Sequence, residues 1–200
     1  MKGMKLLLAA LLAAIVSFTW GFVSWMLLGW HEAGWYDFKD EKAVAQVIQE
    51  NATHGRGMYV LPAVRPPLDI DSPEEREAKM AAYEKAKTEG PYLFAIVRPG
   101  KAELSMKKNM MQSFARSFVG ALLLGALMIP LTLPYPGRLS YAAAIGAFVG
   151  LAADVPSWIW FELPTRELIV NVADHFIEWT LAGAVLAAFL GKEPTVRDPH

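Results

Sequence analysis

The chain has 200 residues, 54% of them hydrophobic, with a net charge of −1 and no cysteine. The lack of cysteine excludes thiol redox chemistry, Cys-ligated metals and disulfides, and the near-zero charge without a basic stripe gives nucleic acid nothing to bind. The charges are segregated: residues 31–113 hold 12 of the 19 Lys and Arg and 13 of the 20 Asp and Glu, as in a chain partly in water and partly in hydrocarbon.

Leu6 to Trp30 is a run of 25 residues without a charge, and about 20 apolar residues suffice to cross a bilayer as a helix. Met1 to Lys5 resembles the start of a signal peptide, but the run is too long for one and no A-x-A site follows, so an uncleaved anchor is expected. Residues 31–113 form the water-soluble insert. Within it, Asp40 caps a helix with Val44, Val47 and Ile48 on one face. Gly57 to Leu61 reads as a strand ended by Pro62. Ser72-Pro73-Glu74-Glu75 is a helix start with cap, first-position proline and capping box. That helix runs to about Lys87, before Gly90-Pro91, and Tyr92 to Val97 is a second strand. A helix–strand–helix–strand unit is α+β, and two strands alone are marginal in water, so it is expected to rest on the membrane, the bundle or a partner.

Ser105 caps a helix running into the second span, Ser117 to Tyr135, with Pro130 near its end. Leu139 to Phe161 is the third span and Leu168 to Leu190 the fourth, followed by a polar tail, residues 191–200. The fold class expected is an all-α membrane protein, four transmembrane helices in a bundle with a small α+β insert between the first two. Lys2, Lys5, Arg138, Lys192 and Arg197 fall on one side, which the positive-inside rule makes cytoplasmic. Lys107, Lys108 and Arg116 lie on the other, beside an insert long enough to weaken the rule. Tryptophans 25, 30 and 35 after span one, and 158 and 160 at the end of span three, belong to one aromatic belt.

Small residues recur every four positions: Ser17 and Gly21, Ala121 and Gly125, Ala142, Gly146 and Gly150, then Gly183, Ala187 and Gly191. That spacing lets helices approach closely, and Gly146, Gly150 and Gly183 are the packing positions expected to matter most.

Asp154 continues the small face of span three, while Asn171, Asp174, His175 and Glu178 recur at three and four residues on span four. Counting from the turn between these spans, Asp154 and Asp174 both lie roughly 10–12 Å inside, so the acid of span three can meet the His-acid group of span four. An ionised carboxylate at that depth costs about 3 kcal/mol, so the group is protonated, paired or hydrated. Three readings stand: a polar clasp or subunit contact, with His175 protonated against Asp154; an ion or proton path; and a metal or catalytic site. For a metal, His175 with Asp154, Asp174 and Glu178 suits Mn or Fe better than structural Zn, but no recognised ligand spacing is present and no metal is assigned. A bis-His haem would need His31 and His175, and the cofactor stays open. No Gly-rich phosphate loop and no Ser-His-Asp arrangement is visible.

Gly57-Met-Tyr-Val-Leu-Pro62, Gly90-Pro-Tyr-Leu-Phe-Ala-Ile-Val-Arg-Pro-Gly100 and Val155-Pro-Ser-Trp-Ile-Trp-Phe-Glu-Leu-Pro164 resemble a family of bacterial four-span inner-membrane proteins to which no activity is assigned. The likeness covers Trp20 to Leu190. It implies topology and a bacterial envelope location, with residues 31–113 periplasmic, and no catalytic role. The leading expectation is a non-enzymatic accessory or structural subunit that packs, in the lipid bilayer, on other membrane subunits or on itself. The alternatives are a small ion or proton transporter using the intramembrane acids and His175, and a metal- or haem-binding membrane enzyme.

Overall fold

A computed structural model of the protein describes residues 2–63, 72–102 and 105–190. The expectations for the tail, including Gly191, Lys192 and Arg197, lie outside the described residues. The chain divides into two compact units, one of residues Met1–Tyr36 with Ser105–His200, the other Asp37–Leu104.

The larger unit holds helices α1 (Lys2–Phe22), α4 (Met106–Met128), α5 (Tyr135–Trp160) and α6 (Thr165–Leu190). With the turns that follow α1, all four are long and apolar enough to cross a membrane. The smaller unit holds α2 (Glu41–Asn51), β1 (Gly57–Leu61), α3 (Pro73–Glu89) and β2 (Leu93–Val97). The strands pair antiparallel, with Gly57 opposite Val97 and Leu61 opposite Leu93.

The helix starts follow from local chemistry. Asp40 Oδ1 accepts the Ala43 N–H at 2.9 Å, and the hydroxyls of Ser72 and Ser105 accept from Glu75 and Lys108. Each meets a donor that the first helical turn leaves unpaired.

Spans three and four begin a few residues earlier than expected, at Tyr135 and Thr165, and spans one and two differ more. Span two was expected over Ser117 to Tyr135; α4 instead occupies Met106–Met128, and Tyr135 opens α5. Pro130 and Pro134 supply no N–H to continue a helix, while the Ser105 cap starts α4 early, so Arg116 lies within the span. Span one was expected to stay regular to Trp30. It changes to π winding over Val23–Leu27, where the Leu28 N–H donates to the Val23 carbonyl at 3.0 Å. Gly29, at φ 61°, then reverses the chain in a conformation that favours glycine. The reversal brings Trp30 and His31 back onto Ser24: the Trp30 Nε1–H donates to Ser24 Oγ at 3.0 Å, and His31 Nε2 lies 3.0 Å from the same oxygen.

Helix α6 is the centre of the unit. It packs on α5 along most of its length, and also on α1 and α4, which pack on each other. Four-residue spacing of small side chains makes the α5–α6 seam. A Cβ on Gly146 would sit 2.8 Å from the His175 carbonyl oxygen, and one on Gly150 2.8 Å from the Val172 Cα. Gly183 abuts the Ala142 methyl. These faces are therefore consumed inside the chain. Below, Ala10, Ala13, Ala121, Leu124, Ala182 and Leu186 close a buried apolar cluster between α1, α4 and α6.

A polar cavity between the spans

Above that apolar cluster, α1, α4, α5 and α6 enclose a cavity of about 730 Å³. It takes shape where the π turn and the Gly29 reversal end α1. At Gly21 a Cβ would meet nothing within 4 Å, so this small residue opens space rather than closing a seam. The cavity is lined by all five of the polar residues singled out in the sequence, Asp154, Asn171, Asp174, His175 and Glu178.

Glu178 is deeply buried, with its side chain 4% exposed. Arg116 binds it with both arms, NH2 at 2.6 Å from Oε1 and NH1 at 3.3 Å from Oε2. Ser17 Oγ lies 2.5 Å from Oε1 and 2.9 Å from Ser117 Oγ. A serine has one proton to give; that of Ser17 goes to the carboxylate, and Ser117 donates to Ser17. A buried carboxylate with a guanidinium and a hydroxyl on it is compensated as an ionised group.

Asp174, one turn higher on α6, accepts the Trp20 Nε1–H at 2.7 Å on Oδ1. Its Oδ2 faces His31 Nε2 at 3.7 Å. His31 is buried, stacked on Trp25 with ring centroids 3.9 Å apart and planes within 3°. Ser24, His31 and Asp174 thus meet, but not as a proton relay. A relay needs the serine on one ring nitrogen and the carboxylate on the other; here both face Nε2.

Asp154 and His175 form the third couple. The Asn171 side-chain amide donates to Asp154 Oδ1 at 3.0 Å. Asp154 Oδ2 stands 3.8 Å from His175 Nε2, and His175 Nδ1 stands 4.0 Å from Glu178 Oε2. Both distances are too long for hydrogen bonds. Asp154 Oδ2 and His175 Nδ1 are buried atoms without a hydrogen-bond partner. The structure therefore brings the acid of α5 to the His-acid group of α6, and leaves an acceptor and a ring nitrogen free beside the cavity.

Among the described residues no three His, Asp or Glu side chains gather closely enough to hold a metal ion. The histidines do not suit a bis-His haem either, since each Nε2 faces a carboxylate and His31 lies under Trp25.

Sequence reasoning missed Ser17, Trp20, Ser24, Arg116 and Ser117 as partners of this site, and considered His31 only as a haem ligand with His175. One signal was present for Arg116, a cation about three turns into a helix that continues as a span. Starting that span at Ser117 set the arginine outside it. Nothing in the spacing on α1 distinguishes Ser17 from a packing position.

Toward the ends of α1, α4 and α6 that lie away from the cavity, the polar groups stop. One turn beyond Ser17 lie Ala13 and Ala14, beyond Ser117 Ala121, and beyond Glu178 Ala182, each with no exposed surface. Apart from the indole N–H of Trp179, which is buried without a partner, the next buried polar group among the described residues is Arg138, near the start of α5, which donates to the Leu131 carbonyl at 3.0 Å. On this side the polar groups of the recess thus end at a buried apolar layer.

Comparison with protein-family models, with curated proteins and with solved structures found no match. Fold and site define the class directly: a mostly helical multi-pass membrane protein with four candidate spans. Among its described residues it has a recess lined by three carboxylates, two histidines and one arginine.

Proposed function

We propose that this is a ligand-binding protein of a bacterial inner membrane, and that a small molecule occupies the recess between its spans. The recess itself carries the reading. A volume of about 730 Å³ falls within the usual range of small-molecule sites, roughly 300–1,000 Å³. It combines apolar walls with a few convergent polar groups, as such sites do. Ionisable residues inside a membrane protein are functional by default.

Translocation of an ion or proton, the transport alternative, receives less support. Its polar steps end at Glu178, and the alanine layers beyond would have to part. Binding requires no such opening. The accessory-subunit reading keeps one supporting observation. Helix α5 packs mainly on α6, and its outer face exposes Phe148, Leu151, Ile159 and Trp160, a surface that suits lipid or a neighbouring subunit. Recovery of a stoichiometric partner in gentle detergent tests that reading.

The bacterial inner membrane, cytoplasmic termini and a periplasmic insert rest on the family likeness and on Lys2, Lys5 and Arg138. Lys107, Lys108 and Arg116 count against this orientation; of these, Arg116 is held by Glu178 of α6 inside the bundle, and Lys107 and Lys108 stay beside the insert. Native mass spectrometry of protein extracted with its surrounding lipid tests the binding reading. A small-molecule adduct is expected on the wild type and is expected to be weakened on Gly21→Leu, whose side chain takes up part of the recess; a wild type that carries no adduct overturns it.

A further inference from the structure

The recess is chemically two-sided, and the sides name a ligand class. Asp154, Asn171, Asp174 and His175, from α5 and α6, make one wall polar. Phe18, Phe22 and Met26 from α1 and its π turn, with Met106 and Met110 of α4, make the facing wall apolar. Of these, Phe22, Met26, Met106 and Met110 are each about half exposed or more. The apolar side therefore opens outward along the α1–α4 seam rather than being sealed by the protein's own packing. A mobile hydrocarbon chain suits such a wall, because methionine adapts its shape to what it touches.

The polar wall asks for a cation. Three carboxylates line the recess against one guanidinium, which Glu178 already holds in two bonds. Asp154 Oδ2 is buried and accepts no hydrogen bond. An unpaired buried acceptor costs about 1–3 kcal/mol, and an ammonium N–H placed there removes that cost. The nearest cationic candidate, His175, stands back at 3.8 Å. An anionic head would instead meet Asp154 and Asp174 with no uncommitted arginine or lysine to receive it.

We infer that the recess takes an amphiphile with a single ammonium head, the head on Asp154 and the chain between α1 and α4. This rests on the binding reading above. The head could belong to an aminophospholipid of the surrounding membrane or to a free long-chain amine; the chemistry recognised is the same.

The test uses the full-length protein in non-ionic amphipol, which leaves no free detergent, titrated calorimetrically with dodecylamine, dodecanol and dodecyl phosphate. Dodecylamine is expected to bind about tenfold or more tighter than dodecanol, the worth of one charge-assisted hydrogen bond. Asp154→Asn should erase that preference while still binding the chain, and Gly21→Leu, which keeps every polar group, should weaken all three alike. Dodecanol or dodecyl phosphate binding as tightly as the amine, or an Asp154→Asn protein that keeps the preference, overturns the ammonium assignment and leaves the binding reading intact. No binding of any amphiphile to the wild type overturns both. A lysophosphatidylethanolamine that binds more tightly than dodecylamine assigns the head to membrane lipid, and the reverse order to a free amine; either order supports an ammonium site.

Discussion

The guanidinium of Arg116 on α4 holds both carboxylate oxygens of Glu178 on α6, at 2.6 and 3.3 Å, and forms the floor of the recess. The two ends differ in setting. The Glu178 side chain is 4% exposed and that of Arg116 54%, so the carboxylate depends on the arginine more than the reverse. Ser17 adds a third bond from α1. One acid thus ties three of the four spans.

Removing the cation alone should therefore cost more than neutralising the acid. Arg116→Ala is expected to destabilise by about 2–3 kcal/mol, somewhat less than the full cost of stranding a deeply buried charge because the arginine side is half open. Glu178→Gln should cost about 1 kcal/mol, since an amide still receives the Ser17 proton. The double variant should be more stable than Arg116→Ala alone. Thermal unfolding in detergent measures all three, and equal losses for the two single variants would show that the pair does not act in this way.

Glycines of the same spacing class should behave oppositely at two places. At Gly146 an added methyl meets the His175 carbonyl and the Phe176 Cα at 2.8 and 3.0 Å. Backbone cannot swing aside, so Gly146→Ala should destabilise by about 1–3 kcal/mol and push α6 away from α5. At Gly21 the methyl meets nothing, and Gly21→Ala should stabilise by about 0.5–1 kcal/mol through lost chain entropy in the unfolded state. Melting temperatures of the two variants check both signs.

This contrast marks how far the sequence was legible. The apolar runs of α1, α4, α5 and α6, the caps at Asp40, Ser72 and Ser105, and the strands around Tyr59 and Ala95 are written in local chemistry that neighbouring residues fix. The polar set of α6 is legible because 3.6-residue periodicity puts Asn171, Asp174 or His175, and Glu178 on one face. Gly21 and Gly146 look alike in sequence, because only the neighbouring helix decides whether a glycine meets a backbone or a void. The convergence of Trp20, His31 and Arg116 on the α6 acids is likewise tertiary. It depends on the π winding of Val23–Leu27 and on where α4 begins, and no periodicity announces either.

The smaller unit gives a different expectation. Among its described residues only Ala52 is buried, and its sheet has two strands. With so little apolar area removed from water, its folding alone is unfavourable. A fragment of residues 37–104 in aqueous buffer is expected to unfold without a cooperative transition, by circular dichroism on heating. A sharp, reversible transition would show that this unit carries its own stability.

The proposed recess, a water-reachable polar space ending at a dry layer, can be measured directly because the chain has no cysteine. Single cysteines at Gly21, facing the recess, and at Ala14, two turns along the same helix within the alanine layer, would be exposed to a charged maleimide in membrane vesicles of each orientation. Gly21→Cys should label rapidly from the face where α1 ends, slowly from the other, and more slowly still with dodecylamine present, while Ala14→Cys stays unlabelled from both. Equal labelling of the two positions would contradict the dry layer, and an unreactive Gly21→Cys would contradict the recess.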